Sequence, residues 1–85
     1  MNIYDLPCYD NRKSFYGKAK VLENGAKYTL YSYETPVIEY NKKTGETERL
    51  WDGYSLTTMR HVNSFLRHFY LKGGGKKWWD SLAVK

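Results

Sequence analysis

The sequence predicts an α+β fold, a mostly antiparallel four-stranded sheet in ββββα order with one amphipathic helix packed on one face. Three observations carry this. Short runs of strand-forming residues between positions 13 and 51 are separated by turn chemistry. Residues 55–72 then repeat apolar side chains at helical spacing. Finally, an apolar stripe that wide on a single helix needs a sheet to bury it.

The elements follow in order. Residues 1–12 show no periodicity, and Pro7 disfavours regular structure in their middle, so they read as an N-terminal arm. Residues 13–23 alternate Phe15, Gly17, Ala19 and Val21 with Tyr16, Lys18, Lys20 and Leu22, the period of a strand. Asn24 and Gly25 both tolerate positive φ and mark a hairpin turn. A second strand covers residues 26–33. Pro36 predicts a bend or a change of strand partner before a third strand at 37–41. The loop at 41–45 places Gly45 for a left-handed residue, and a charged fourth strand spans 46–51.

Wound at about 100° per residue, the helix puts Met59, Val62, Phe65, Leu66, Phe69 and Tyr70 on its packed face. Thr57 is the expected N-cap, with Ser55 as the alternative, and Gly73-Gly74-Gly75 the expected C-terminal stop. Domain organisation therefore reads as the arm, one domain at 13–72, and a glycine hinge with a basic, Trp-containing tail at 73–85.

Eighty-five residues hold one modest core, and fifteen aromatic rings, nine of them tyrosine, let it bury much area per residue. Cys8 is the single cysteine, so no intrachain disulfide forms, which suits a reducing cytosol. The N-terminus lacks the basic and apolar regions of a secretory signal, and no apolar run is long enough to span a bilayer. The expected location is the cytoplasm. Net charge is +5 but unevenly spread: +2 over residues 1–33, −2 over 34–52 and +5 over 53–85. That asymmetry favours an anionic partner, either an acidic protein surface or a nucleoprotein, and no membrane.

Ser14-Phe15-Tyr16-Gly17-Lys18-Ala19, then residues 30–37 (LYSYETPV), then Thr57-Thr58-Met59-Arg60-His61-Val62 with Phe65-Leu66 form an ordered set of motifs. In this the chain resembles an uncharacterised family of short proteins from phages and other mobile elements of bacteria, over residues 14–66. The resemblance implies expression inside a bacterial cell from an accessory gene. It implies no activity, and it leaves out the tail.

The residues offer little chemistry. His61 and His68 are seven apart, about 10 Å along a helix, too far to share a metal ion. Cys8 sits in an irregular segment, a poor place to align a nucleophile. Glu39, Glu46 and Glu48 read as a solvated hairpin edge. Gly73-Gly74-Gly75 follows a helix, whereas phosphate-binding loops precede one. No enzyme, metal or cofactor is expected.

Binding is better served. Arg60, His61, Arg67 and Lys72 form an outer basic band on the helix, suited to an acidic groove or to phosphates. Tyr16, Lys18, Lys20, Tyr31 and Tyr33 are expected on the open face of the sheet, where aromatic rings beside lysines suit single-stranded nucleic acid. Lys76, Lys77, Trp78 and Trp79 in the tail are candidate interface anchors, with one tryptophan plugging the core as the alternative. The leading expectation is a non-enzymatic protein that binds and occludes a host or defence macromolecule, an anti-CRISPR-like inhibitor being one concrete form. A single-stranded nucleic-acid-binding module is the alternative.

Overall fold

A computed structural model describes residues 2–8, 15 and 17–84. Five strands, β1 (Asn2–Asp5), β2 (Ala19–Asn24), β3 (Lys27–Ser32), β4 (Thr35–Asn41) and β5 (Glu46–Arg49), precede two helices, α1 (Leu56–His68) and α2 (Gly75–Ser81). The strands form one antiparallel meander in the order β1-β2-β3-β4-β5. The α+β class and the antiparallel sheet are as the sequence predicts, and the structure settles the strand order that Pro36 left open. The additions are one edge strand and one short helix.

The edge strand comes from the segment read as an arm. Ile3 pairs with Leu22 and Tyr4 with Val21. Four residues with two adjacent apolar side chains carry no legible period, and their partner lies well along the chain. Leu6 follows into the core, its amide donating to Ala19 O at 2.9 Å. Residues 9–12 of the predicted arm, and residues 13, 14 and 16 of the predicted first strand, lie outside the described residues.

The turns shift by small, explicable amounts. Asn24 stays in register opposite Lys27, so Gly25 and Ala26 make the β2–β3 turn and Gly25 takes the positive φ, 64°. Glycine in the first central position suits a two-residue hairpin. The β3–β4 turn is Tyr33-Glu34, with φ of 51° and 71°. Pro36 does not redirect the sheet: it lies opposite Tyr31, and a register shift between Leu30 and Tyr31 absorbs the irregularity.

One core joins the layers. Val21, Leu30 and Ile38 from the sheet meet Val62, Phe65 and Leu66 from α1, all essentially buried. Each such side chain contributes roughly 1.5–3 kcal/mol relative to remaining in water. Ser55 is the N-cap in place of Thr57, its hydroxyl accepting from Thr58 N at 3.0 Å. The helix stops four residues earlier than its apolar pattern suggests. Leu71 N donates to Leu66 O at 2.8 Å and Tyr70 N to Arg67 O at 3.2 Å, a Schellman closure with Tyr70 in the left-handed position at φ 56°. Tyr70 therefore leaves the packed face assigned to it and stands 96% exposed.

The glycine triplet is not a loose hinge. A Cβ on Gly73 would collide with the Trp78 indole, and one on Gly74 would sit 2.8 Å from Asn63 Oδ1, with both residues at positive φ. The triplet threads the chain tightly between α1 and α2. This delivers Trp79 into the core, where its Nε1 donates to Gly53 O at 2.8 Å. Arg49 completes the latch. Its guanidinium stacks 4.3 Å from the Trp79 ring centre. It donates to Trp79 O at 2.8 Å, to Trp51 O at 2.8 Å and to Gly53 O at 3.2 Å. A buried cation is thus satisfied by carbonyl oxygens.

Candidate functional site

The alternation of β2 and β3 sends Val21, Leu30 and Ser32 toward the helices and Lys20 and Tyr31 to the opposite, open face. Lys20 and Tyr31 are directly paired across the two strands, and Asp5 pairs with Lys20 from β1. Lys18 precedes β2, and its carbonyl accepts from Tyr33 N at 2.9 Å, which brings the tip of the β3–β4 hairpin alongside. The result is an open cleft of about 600 Å³ lined by Ile3, Gly17, Lys18, Lys20, Tyr31, Tyr33 and Glu34. Four of the five sheet residues singled out from the sequence are therefore together. The fifth, Tyr16, lies outside the described residues.

Ile3 and Tyr33, at 56% and 52% exposed, form the apolar rim. The charges nearly cancel. Lys20 Nζ bonds Asp5 at 2.6 Å, Glu34 shares the lining with Lys18, and the Lys18 ammonium sits 5.4 Å from the Tyr33 ring centre. Further across the same face the sheet turns acidic: Glu39 opposes Glu48, and Glu46 lies opposite Asn41. Ile3, Asp5 and Glu34 were not legible as site residues, because a strand with no period and a turn with no glycine hide their placement.

The helix band is smaller than expected. His61 does not join it. It is 1% exposed, shares a 2.7 Å hydrogen bond with Ser32 Oγ and sits edge-on to Phe15. Burial, with a smaller push from neighbouring Arg60, lowers its pKa from 6.5 to about 4, so it is neutral at physiological pH. Helical period put position 61 beside the apolar stripe, and Ser32 supplies a polar partner there that no local pattern reveals. The Ser32 hydroxyl also meets Thr58 Oγ1 at 3.3 Å. The arrangement pins α1 to β3.

Arg60 is half-buried, its guanidinium 5.2 Å from the Phe15 ring centre. Arg67 and Lys72 are exposed. His68 turns to Tyr4, 3.1 Å between Nε2 and the hydroxyl, and burial lowers its pKa too. In the tail, Lys76 and Lys77 are exposed, with Lys76 bonded to Asp80 at 2.7 Å. Trp78 is half-buried and Trp79 fully buried, so Trp79 belongs to the core and not to an exposed anchor pair. No described helix is long and apolar enough to cross a membrane.

Fold and site together describe a small α+β protein, a five-stranded meander with both helices in one core and an aromatic cleft on the opposite face. The chain belongs to a family of unknown function, DUF8033, whose model matches residues 3–81. No curated protein and no solved structure matches it.

Proposed function

We propose that this is a non-enzymatic accessory protein of a phage or other bacterial mobile element, which acts in the cytoplasm by binding and occluding a host or defence protein through the open sheet face. Inhibition of a CRISPR effector is one concrete form. The observation that carries the reading is the cleft itself. It sets Ile3, Tyr31 and Tyr33 among lysine and carboxylate groups whose charges nearly balance. Aromatic anchors with a mixed-charge rim suit a protein surface. A nucleic-acid strand laid across this sheet would meet Glu39, Glu46 and Glu48 on its far half, so charge balance disfavours the alternative here.

The test is capture from bacterial lysate with a tagged chain. One stoichiometric protein partner is expected to be retained by the wild type and by Lys43→Ala, a change in a distant loop. It should be lost with Tyr33→Ala and with Ile3→Ser, each weakening binding by about 30-fold or more if it removes a hot spot. Equal retention by the cleft variants sinks the reading.

A further inference from the structure

A second cleft, of about 370 Å³, opens on the helix side of the β3–β4 hairpin, and its lining differs in kind from that of the sheet cleft. The volume lies within the roughly 300–1,000 Å³ of small-molecule sites. Ser32, Thr35, Ser55, Thr57 and Thr58 bring hydroxyls to it from the end of β3, the start of β4 and the first turn of α1. Trp51 and Tyr54 bring rings, and Tyr33 stands at the border with the sheet cleft. Among the described residues no charged side chain lines it, although 27% of the chain is charged. Part of the site is built in advance. The Trp51 indole occupies the space a Cβ on Gly53 would need, so glycine at 53 is what lets the ring lie against the chain there. Ser32 and Thr58, 3% and 6% exposed, make a polar floor, with the Ser32 hydroxyl held by Thr58 and by His61. Ser55 is committed to the helix cap. Thr35, Thr57 and Tyr54 are exposed, which leaves their hydroxyls open to a ligand.

That composition narrows the occupant. An anion would find no cation in the lining. A cation would meet the Lys18 and Lys76 ammonium groups already seated over the Tyr33 and Tyr54 rings, with no carboxylate lining the cleft to offset them. A wholly apolar ligand would take water from the hydroxyls and return no hydrogen bond, which burial of polar groups penalises. Hydroxyls both donate and accept, so a set of them is matched by a ligand that carries hydroxyls of its own. The indole asks for an apolar face on the same molecule. A sugar ring has both, C–H groups across its faces and hydroxyls around its rim. We propose that this cleft binds a neutral saccharide, with Trp51 as the stacking platform and the Thr35, Thr57 and Tyr54 hydroxyls as hydrogen-bond partners. Tyr33 is the one described residue common to the two clefts, so this site stands whether or not the sheet face binds a protein.

Titration of the isotope-labelled full chain by NMR, with the methyl glycosides of glucose, galactose, mannose and N-acetylglucosamine as probes, tests this. At least one glycoside should give saturable shifts centred on the Trp51 indole N–H and the Thr35 and Thr57 amides, and Lys43→Ala should bind it as the wild type does. Thr57→Val removes an exposed hydroxyl and keeps the side-chain shape. It should weaken that binding by about 2- to 12-fold, the worth of one hydrogen bond, with an unchanged urea midpoint. Loss of affinity at constant stability separates a lost ligand contact from a damaged fold. Trp51→Ala should abolish the shifts, and Thr57→Val decides the matter if that variant fails to fold. Shifts with none of the four glycosides, or equal affinity in Thr57→Val, overturn the inference. Tighter binding of a glucose phosphate than of methyl glucoside overturns it in favour of an anion site.

Discussion

Two tyrosines, Tyr33 at the β3–β4 hairpin and Tyr70 at the end of α1, adopt nearly the same left-handed conformation, with φ of 51° and 56°. Their surroundings differ. Tyr33 is half exposed, with the Lys18 ammonium over its ring, its amide bonded to Lys18 O and the His61 ring centre 5.7 Å away. Tyr70 is almost entirely in solvent. The same backbone strain is therefore partly repaid by side-chain contacts at one site, and at the other only by the two backbone hydrogen bonds that close the helix. The first tyrosine is a structural part of a cleft. The second closes the end of α1, its left-handed turn held by the Tyr70 N–Arg67 O and Leu71 N–Leu66 O hydrogen bonds.

The largest effect bears on neither tyrosine alone. Trp79→Ala removes a fully buried indole and strands Arg49 without its ring contact, and is expected to cost about 3–5 kcal/mol. Urea unfolding should show a lowered midpoint, with both corners lost in one transition. Separate transitions would mean that the tyrosines sit in independent units.

Acid weakens the fold through the buried His61 beside Tyr33. His61 has a folded pKa near 4 against 6.5 unfolded, so its contribution is complete above about 6.5 and is lost as pH falls toward 4. Integrated over that window the loss is about 3 kcal/mol. Burial of His68 acts in the same direction. Stability measured by urea at pH 7 and at pH 4.5 should differ accordingly, and His61→Asn should flatten most of the slope. An unchanged slope in that variant would place the acid sensitivity elsewhere.

The smallest effects sharpen the comparison most. Tyr70→Gly should stabilise by about 1 kcal/mol, since relief of the left-handed strain meets no lost packing. Tyr33→Gly should come out near zero, because similar relief is offset by a lost cation–π contact of about 0.5–1 kcal/mol. Thermal melts of the two variants check both. Equal gains would mean that the Lys18 and His61 contacts with Tyr33 contribute nothing.

Local features of the sequence anticipated much of the fold for identifiable reasons. Alternation at Ala19–Val21 and Tyr28–Leu30, the turn residues at Gly25 and Gly45, and the Met59–Val62–Phe65–Leu66 spacing each report a neighbour relation within one element or across one hairpin. The cleft was partly legible by the same logic, since alternation alone puts Lys20 and Tyr31 opposite the core. Ile3 and Asp5 were not, because their strand exists only by pairing with β2.

By itself the sequence determined the α+β class, a mostly antiparallel sheet and the open-face placement of Lys20 and Tyr31. Periodicity and turn chemistry are local, and these properties follow from them. Only the tertiary structure decided that His61 faces Ser32 and not solvent, that Trp79 fills the core beneath Arg49, and that α1 closes one turn early. That last step carries Tyr70 from the expected core face to the surface. Each of these depends on a partner distant in sequence or on a backbone bond that no residue type announces.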